Sequence, residues 1–319
     1  VTKRRIIFMG TPAFAVASLD ALMEAGADIA AVVTAPDKPA GRGQQMRMSA
    51  VKERSIELGL PVLQPARLKD EVFLRALDAL GADLYVVVAF RMLPAEVWAR
   101  PTLGTINLHA SLLPQYRGAA PINWAIIHGD RTTGATTFFI RHEIDTGDII
   151  ERVEVPVGPD TTAGELHDLL MKEGARLLVR TVSAVLEGSA TSHPQLVAHD
   201  EALHHAPKLT PANCRIDWSL PAARVHDLIR GLSPYPGAWT ELRAGSRAPM
   251  HFKVLRTRRS ADAPLAPACG ELLIAGDRIW AGCGDCSVEL LEVQPEGKRR
   301  MSAGEFARGA AAWGPLSCA

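Results

Sequence analysis

Arg5-Ile6-Ile7-Phe8-Met9-Gly10-Thr11-Pro12 opens the chain with a short apolar strand and a turn. Ala13 to Glu24 follows, with Phe14, Val16, Leu19, Leu22 and Met23 at helical spacing and Gly26 as a stop. Ile29 to Thr34 is the next strand. Strand, turn, helix and strand in that order begin a Rossmann-like, doubly wound, mostly parallel α/β sheet. The G-x-G-x-x-G fingerprint is missing, because Gly10 alone marks the first turn, so no dinucleotide site is expected.

Working outward, Pro36 to Ser49 is polar and glycine-rich and reads as a surface loop. Helices are expected over Ala50 to Leu58 and Leu68 to Leu80, with a short strand at Val62-Leu63-Gln64 between them. Asp83 to Phe90 is nearly all apolar, as a strand buried on both faces would be. Thr105 to His109 is the next strand, and Pro121 begins a helix running to His128. Gly134 to Arg141 and Ile149 to Val155 are strand-like. Thr162-Ala163-Gly164-Glu165 is a capping box opening a long helix to Leu186, which Gly174 would weaken midway.

Ser189 to Pro211 loses all periodicity and reads as a linker, dividing the chain into 1–206 and 207–319. Beyond it Ser219 is placed to cap a short helix. Five strands then follow closely: Ala238 to Arg243, Met250 to Arg256, Glu271 to Ala275, Arg278 to Cys283 and Ser287 to Val293. Ser302 caps a last helix. Short strands at this density suggest a small OB-like β-barrel.

With 319 residues and 47% hydrophobic content the chain can bury a large core. No apolar run approaches the roughly 20 residues of a membrane span, and no signal peptide is evident, so a cytoplasmic protein away from membranes is expected. The net charge is zero but unevenly spread. Residues 1–54 carry 8 basic and 5 acidic side chains, 55–207 carry 12 and 19, and 208–319 carry 15 and 11. Basic flanks suit a polyanion, although solvated surface charge explains such imbalances at least as often. Cys283-Gly284-Asp285-Cys286 has metal or redox spacing, yet no second close pair follows; it reads as a two-residue type II′ hairpin turn with glycine first. His193 and His204-His205 lack the helical spacing of a zinc site, so no metal is expected.

Chemistry concentrates elsewhere. In the strand Thr105-Ile106-Asn107-Leu108-His109, alternate side chains share a face, which sets Asn107 beside His109. Asp145, in Asp145-Thr146-Gly147-Asp148, would orient the imidazole or relay a proton. An amide donor, an imidazole and a carboxylate, with no Ser or Cys nucleophile, suit acyl transfer to an amine. The same residues would equally serve as hydrogen-bonding groups at a strand end and in a turn.

Asn107-Leu108-His109-Ala110-Ser111-Leu112-Leu113-Pro114, Tyr116-Arg117-Gly118 and Asp145-Thr146-Gly147-Asp148 resemble the signature of the 10-formyltetrahydrofolate-dependent formyltransferase family. Gly10-Thr11-Pro12, residues 36–43, Arg215-Ile216-Asp217-Trp218-Ser219 and Gln294-Pro295-Glu296-Gly297-Lys298 are similar to its methionyl-tRNA-specific members, so the likeness spans almost the whole chain. The resemblance implies a formyltransferase-fold catalytic domain and a trailing barrel that holds tRNA. It implies Asn107, His109 and Asp145 as catalytic groups, and folate contacts from Ser111, Leu112, Leu113, Pro114, Phe90, Met92 and Ile144. It further implies tRNA contacts from Arg42, Arg47, Lys298, Arg299 and Arg300. The co-substrate would be 10-formyltetrahydrofolate, the partner initiator Met-tRNA, and the protein a monomer.

Three stretches depart from the family pattern. The loop Ala89-Phe90-Arg91-Met92-Leu93-Pro94 is one residue shorter and lacks a glycine, Glu143 replaces a glycine two residues before Asp145, and Gln44 and Gln45 replace lysines. An amino sugar nucleotide is the competing acceptor within the family. Glycinamide ribonucleotide fits less well, because such enzymes end where the linker begins here. A non-catalytic folate or RNA binder is the reading of another class.

Overall fold

The computed structural model describes residues 4–40, 45–196, 202–245, 247–259, 268–310 and 312–319. These form two compact units, one of residues 1–117, 134–155 and 167–204, the other of 118–133, 156–166 and 205–319.

The first is built on a seven-stranded sheet in the spatial order Ile149–Pro156, Thr132–Phe139, Thr105–His109, Leu84–Val88, Arg5–Gly10, Asp28–Val33, Val62–Leu63. The five strands from Thr105–His109 to Val62–Leu63 are parallel, and Thr132–Phe139 runs antiparallel to its neighbour Thr105–His109. Chain order therefore runs outward from Arg5–Gly10 to one edge and then resumes on its other side at Leu84–Val88. Doubly wound sheets hold ligands at such a reversal, beyond the carboxyl ends of the strands. Every residue of Leu84–Val88 is buried, in keeping with its unbroken apolar run. Gly10 closes the first strand because a Cβ there would stand 2.7 Å from that of Ala15 and 3.1 Å from the Val88 carbonyl oxygen.

Side-chain caps set some of the helix starts, Ser49 before Ala50–Glu57 and Asp70 before Glu71–Leu80. The helix Glu71–Leu80 begins three residues later than its apolar pattern suggests, since Asp70 accepts from the backbone N–H of Val72 and Phe73. The stretch expected as loop over 36–49 contains an antiparallel pair, Lys38–Ala40 with Gln45–Arg47, whose polar residues carry no period-2 apolar signal. The helix Ala163–Glu187 runs unbroken past Gly174, which instead lets Leu108 approach: a Cβ there would lie 3.1 Å from Leu108 Cδ2.

The second unit holds an antiparallel barrel. Its strands lie in the order Met250–Arg258, Ala238–Ala244, Leu316–Cys318, Glu271–Ala275, Arg278–Gly282, Ser287–Pro295, Met301–Ser302, and pairing of Met250–Arg258 with Ser287–Pro295 closes the ring. The five expected strands are present, but Met301–Ser302 and Leu316–Cys318 were too short to show a pattern. The helix Ala222–Gly231 is not capped by Ser219, whose N–H and hydroxyl both turn to Asp217. Asp285 serves instead, accepting from the Ala222 N–H at 2.7 Å. Cys283 N–H donates to the Cys286 carbonyl at 2.7 Å, so these residues do make a tight turn. It is not type II′, because Gly284 lacks the positive φ; glycine is required because a Cβ would meet the Ser219 carbonyl at 2.2 Å. Among the described residues the five cysteines are free, and no group of three or more metal-ligating side chains converges. None of the described helices is long and apolar enough to cross a membrane.

Candidate active site

The strand Thr105–His109 pairs in parallel with Leu84–Val88 and antiparallel with Thr132–Phe139, so its last residues emerge at the carboxyl edge of the sheet. Ile106 and Leu108 are buried in one direction while Asn107 and His109 share the opposite one. His109 is only 7% exposed and Asn107 is half-buried. No hydrogen bond to the Asn107 carboxamide is found among the described residues, which leaves a shielded donor and acceptor at the head of the site.

The imidazole is fixed from two sides. Nε2 lies 2.9 Å from the Tyr116 carbonyl oxygen, which can only accept, so Nε2 carries the hydrogen. Nδ1 faces Asp145 Oδ2 at 3.8 Å, within ion-pair range and beyond hydrogen-bond range. The tautomer is thus set by Tyr116, rather than by Asp145 as the sequence suggested, and Nδ1 is left as the nitrogen open to proton exchange. Tyr116 presents its carbonyl because it adopts a left-handed φ of 60° and is held by its N–H donating to the His204 carbonyl at 2.7 Å.

The loop before Tyr116 is pinned to the sheet. Thr136 Oγ1 donates to the Ser111 carbonyl at 2.6 Å and accepts from the Leu113 N–H at 3.2 Å, while the Ser111 hydroxyl donates to the Gln115 carbonyl. Ser111 and Leu113 are fully buried, Leu113 packing on Phe138 and Ile149, whereas Leu112 and Pro114 are partly exposed. At Ser111 and Leu113 a ligand would therefore meet backbone.

Asp145 sits in the turn between two strands with φ 55°, a region that Asp tolerates better than most residues. Glu143, standing where a glycine is usual, has no positive φ; its carbonyl accepts from Thr146 Oγ1 at 3.1 Å. Gly147 allows the turn to close, since a Cβ there would fall 1.6 Å from the Phe139 carbonyl oxygen. The Gln195 carboxamide, in a stretch that looked featureless, donates to the carbonyls of Asp145 and Gly147 at 2.8 and 2.9 Å. Tyr116 lies in the Tyr116-Arg117-Gly118 motif, but its role is not legible in the sequence because it acts through backbone; Gln195 lies outside any periodic element and gave no signal.

The loop after Leu84–Val88, which lacks the family's usual glycine, has one left-handed residue of its own. Ala89 takes the positive φ of 46°, and Arg91 folds over the Phe90 ring and donates to the carbonyls of Pro65 and Ala66. Phe90 is partly buried, while Met92 and Ile144 expose 72% and 57% of their surface. Apolar side chains left open in this way suit the flat face of an aromatic ligand.

Of the residues expected at tRNA, Arg42 lies outside the described residues. Arg47 is exposed and stands opposite Lys38 across its hairpin. Lys298, Arg299 and Arg300 are exposed on the second unit; Arg299 pairs with Glu305 at 2.5 Å and Arg300 with Glu292.

Comparison with known proteins agrees with this geometry. Residues 4–182 match the formyl transferase family and residues 208–311 the formyl transferase C-terminal domain. The chain is 49% identical over 308 residues to a methionyl-tRNA formyltransferase from Bacteroides fragilis, covering 96% of this chain and 94% of that one. It is 46% identical over 307 residues to one from Flavobacterium johnsoniae, covering 96% of each. Among solved structures it is similar to a sugar 3N-formyl transferase crystallised with dTDP and 5-N-formyl-THF, with TM-score 0.67, 16% identity, and 94% and 100% of the two chains covered. It is also similar to HypX from Aquifex aeolicus in complex with tetrahydrofolic acid, with TM-score 0.65, 15% identity, and 98% and 48% covered.

Proposed function

We propose, from the premise that this chain belongs to the formyl transferase family, that it formylates the α-amino group of methionine carried on initiator tRNA, using 10-formyltetrahydrofolate as donor. The observation that carries this reading is the likeness to methionyl-tRNA formyltransferases along 96% of the chain, the barrel included. Sugar N-formyl transferases share the fold at 16% identity, which gives an amino sugar acceptor less support.

The reaction breaks the bond between the formyl carbon and N10 of the carrier, and forms one to the methionine nitrogen. That nitrogen loses a proton and N10 gains one. The α-amino group titrates near 7.7–8.0 in model compounds, so a useful fraction is neutral without a strong base. The Asn107 amide N–H, without a hydrogen-bond partner among the described residues, would donate to the formyl oxygen as negative charge grows there. His109, in its Nε2–H tautomer, offers Nδ1 to the departing proton, and Asp145 beside Nδ1 stabilises the imidazolium that results. Ser111 to Pro114, Phe90, Met92 and Ile144 would bound the folate, with backbone at the buried positions. Residues 207–319, with Arg42 and Arg47, would hold the tRNA.

The test is to supply purified protein and 10-formyltetrahydrofolate with either charged initiator tRNA or an amino sugar nucleotide. N-formylmethionyl-tRNA is the expected product. Formylation of the sugar alone would overturn the assignment.

A further inference from the structure

We propose that Gln195 is a positioning residue that ties the Asp145 turn to the Tyr116–Arg117 loop and so sets Asp145 against His109. The proposal rests on the formyl-transfer reading above. Its basis is the complete use of one carboxamide. Nε2 donates to the Asp145 carbonyl at 2.8 Å and to the Gly147 carbonyl at 2.9 Å. Oε1 accepts from Arg117 Nε at 3.1 Å and Nη2 at 2.6 Å. A primary amide has two N–H donors and two lone pairs, and all four are engaged.

The two loops so joined carry the two groups that face the imidazole. Tyr116, adjoining Arg117, supplies the carbonyl on Nε2, and Asp145 supplies the carboxylate 3.8 Å from Nδ1. Tyr116 and Asp145 both hold left-handed backbone at φ 60° and 55°, conformations that persist where their surroundings fix them. Gln195 is itself anchored: two residues earlier, His193 and Ile149 exchange backbone hydrogen bonds at 2.9 and 2.8 Å. Glutamate could accept from Arg117 but would turn an oxygen toward two carbonyls. Leucine could do neither. Gln195 touches the reaction only through other residues, so its loss acts on turnover more than on binding.

The experiment measures steady-state formylation of initiator Met-tRNA by the unmodified protein, Gln195→Glu and Gln195→Leu. In both variants kcat is expected to fall at least tenfold while each KM stays within threefold. Unchanged kcat, or a loss confined to KM, overturns the proposal. A variant that fails to fold is replaced by a measurement on the unmodified protein: both carboxamide protons of Gln195 exchange slowly with solvent if the bridge exists, and rapid exchange of either refutes it. Absence of formyl transfer in the unmodified protein would refute the functional reading instead, and the exchange measurement would still decide the bridge.

Discussion

His109 has one ring nitrogen left for chemistry, because the Tyr116 carbonyl occupies the other. His109→Ala should therefore lower kcat by about 10²–10⁴, the usual contribution of a positioned acid–base group, with the circular dichroism spectrum unchanged. Turnover within a factor of two of the unmodified protein would remove it from the mechanism. On the proposed mechanism Asn107→Ala removes the donor to the formyl oxygen and should cost about 10²–10³ in kcat, read in the same assay. These side chains were legible in the sequence because their types and i, i+2 spacing carry chemical meaning. The groups that hold them were not. A backbone carbonyl such as that of Tyr116 exists at every residue, and the role of Gln195 depends on contacts with residues about 50 and 80 positions away.

Elements were readable where local chemistry decides them. The capping box is present as expected, with Thr162 N–H donating to Glu165 Oε2 at 2.8 Å and Glu165 N–H to Thr162 Oγ1 at 3.2 Å. Thr162→Ala should cost roughly 1 kcal/mol in a denaturant melt, as lost N-caps do. Where distant residues decide, the reading failed: the first turn of Ala222–Gly231 is satisfied by Asp285 from a hairpin 63 residues on, and Ser219 only resembled a cap. Two- and three-residue strands such as Leu316–Cys318 take their identity from their neighbours in the barrel, not from their own pattern. Gly147 belongs to this scale too. Gly147→Ala forces a methyl into the Phe139 carbonyl and should destabilise by about 1–3 kcal/mol or more while displacing the Asp145 turn. A variant as stable and active as the parent would show that the turn can open.

At the scale of the whole molecule, charge and titration make the predictions. His226 is buried, its Nε2 near the Pro159 carbonyl and its Nδ1 near the Thr257 hydroxyl, and burial holds its pKa below the ordinary histidine value. The unfolded chain then takes up a proton below about pH 6.5 that the folded chain resists, so stability falls as pH drops from there toward the folded pKa. The slope from this group stays under the ~1.4 kcal/mol per pH unit of a single proton, and His226→Gln should remove it from a series of denaturant melts. Binding of tRNA should weaken as salt rises, and Arg47→Ala should reduce the log–log slope by about 1 if Arg47 meets a phosphate. The alternation of strand and helix and the crowded short strands made the sheet and the barrel legible. The substrate was legible only through resemblance, because the ion pairs of Arg299 and Arg300 look like those of any charged surface. The proposed formyl transfer to Met-tRNA runs through Asn107, His109 and Asp145 together. The most direct measurement is the formylation rate of Asp145→Asn, which keeps the size and the left-handed turn but removes the charge. A fall in kcat of about 10² or more with folate binding retained is predicted; an unchanged rate would contradict the account.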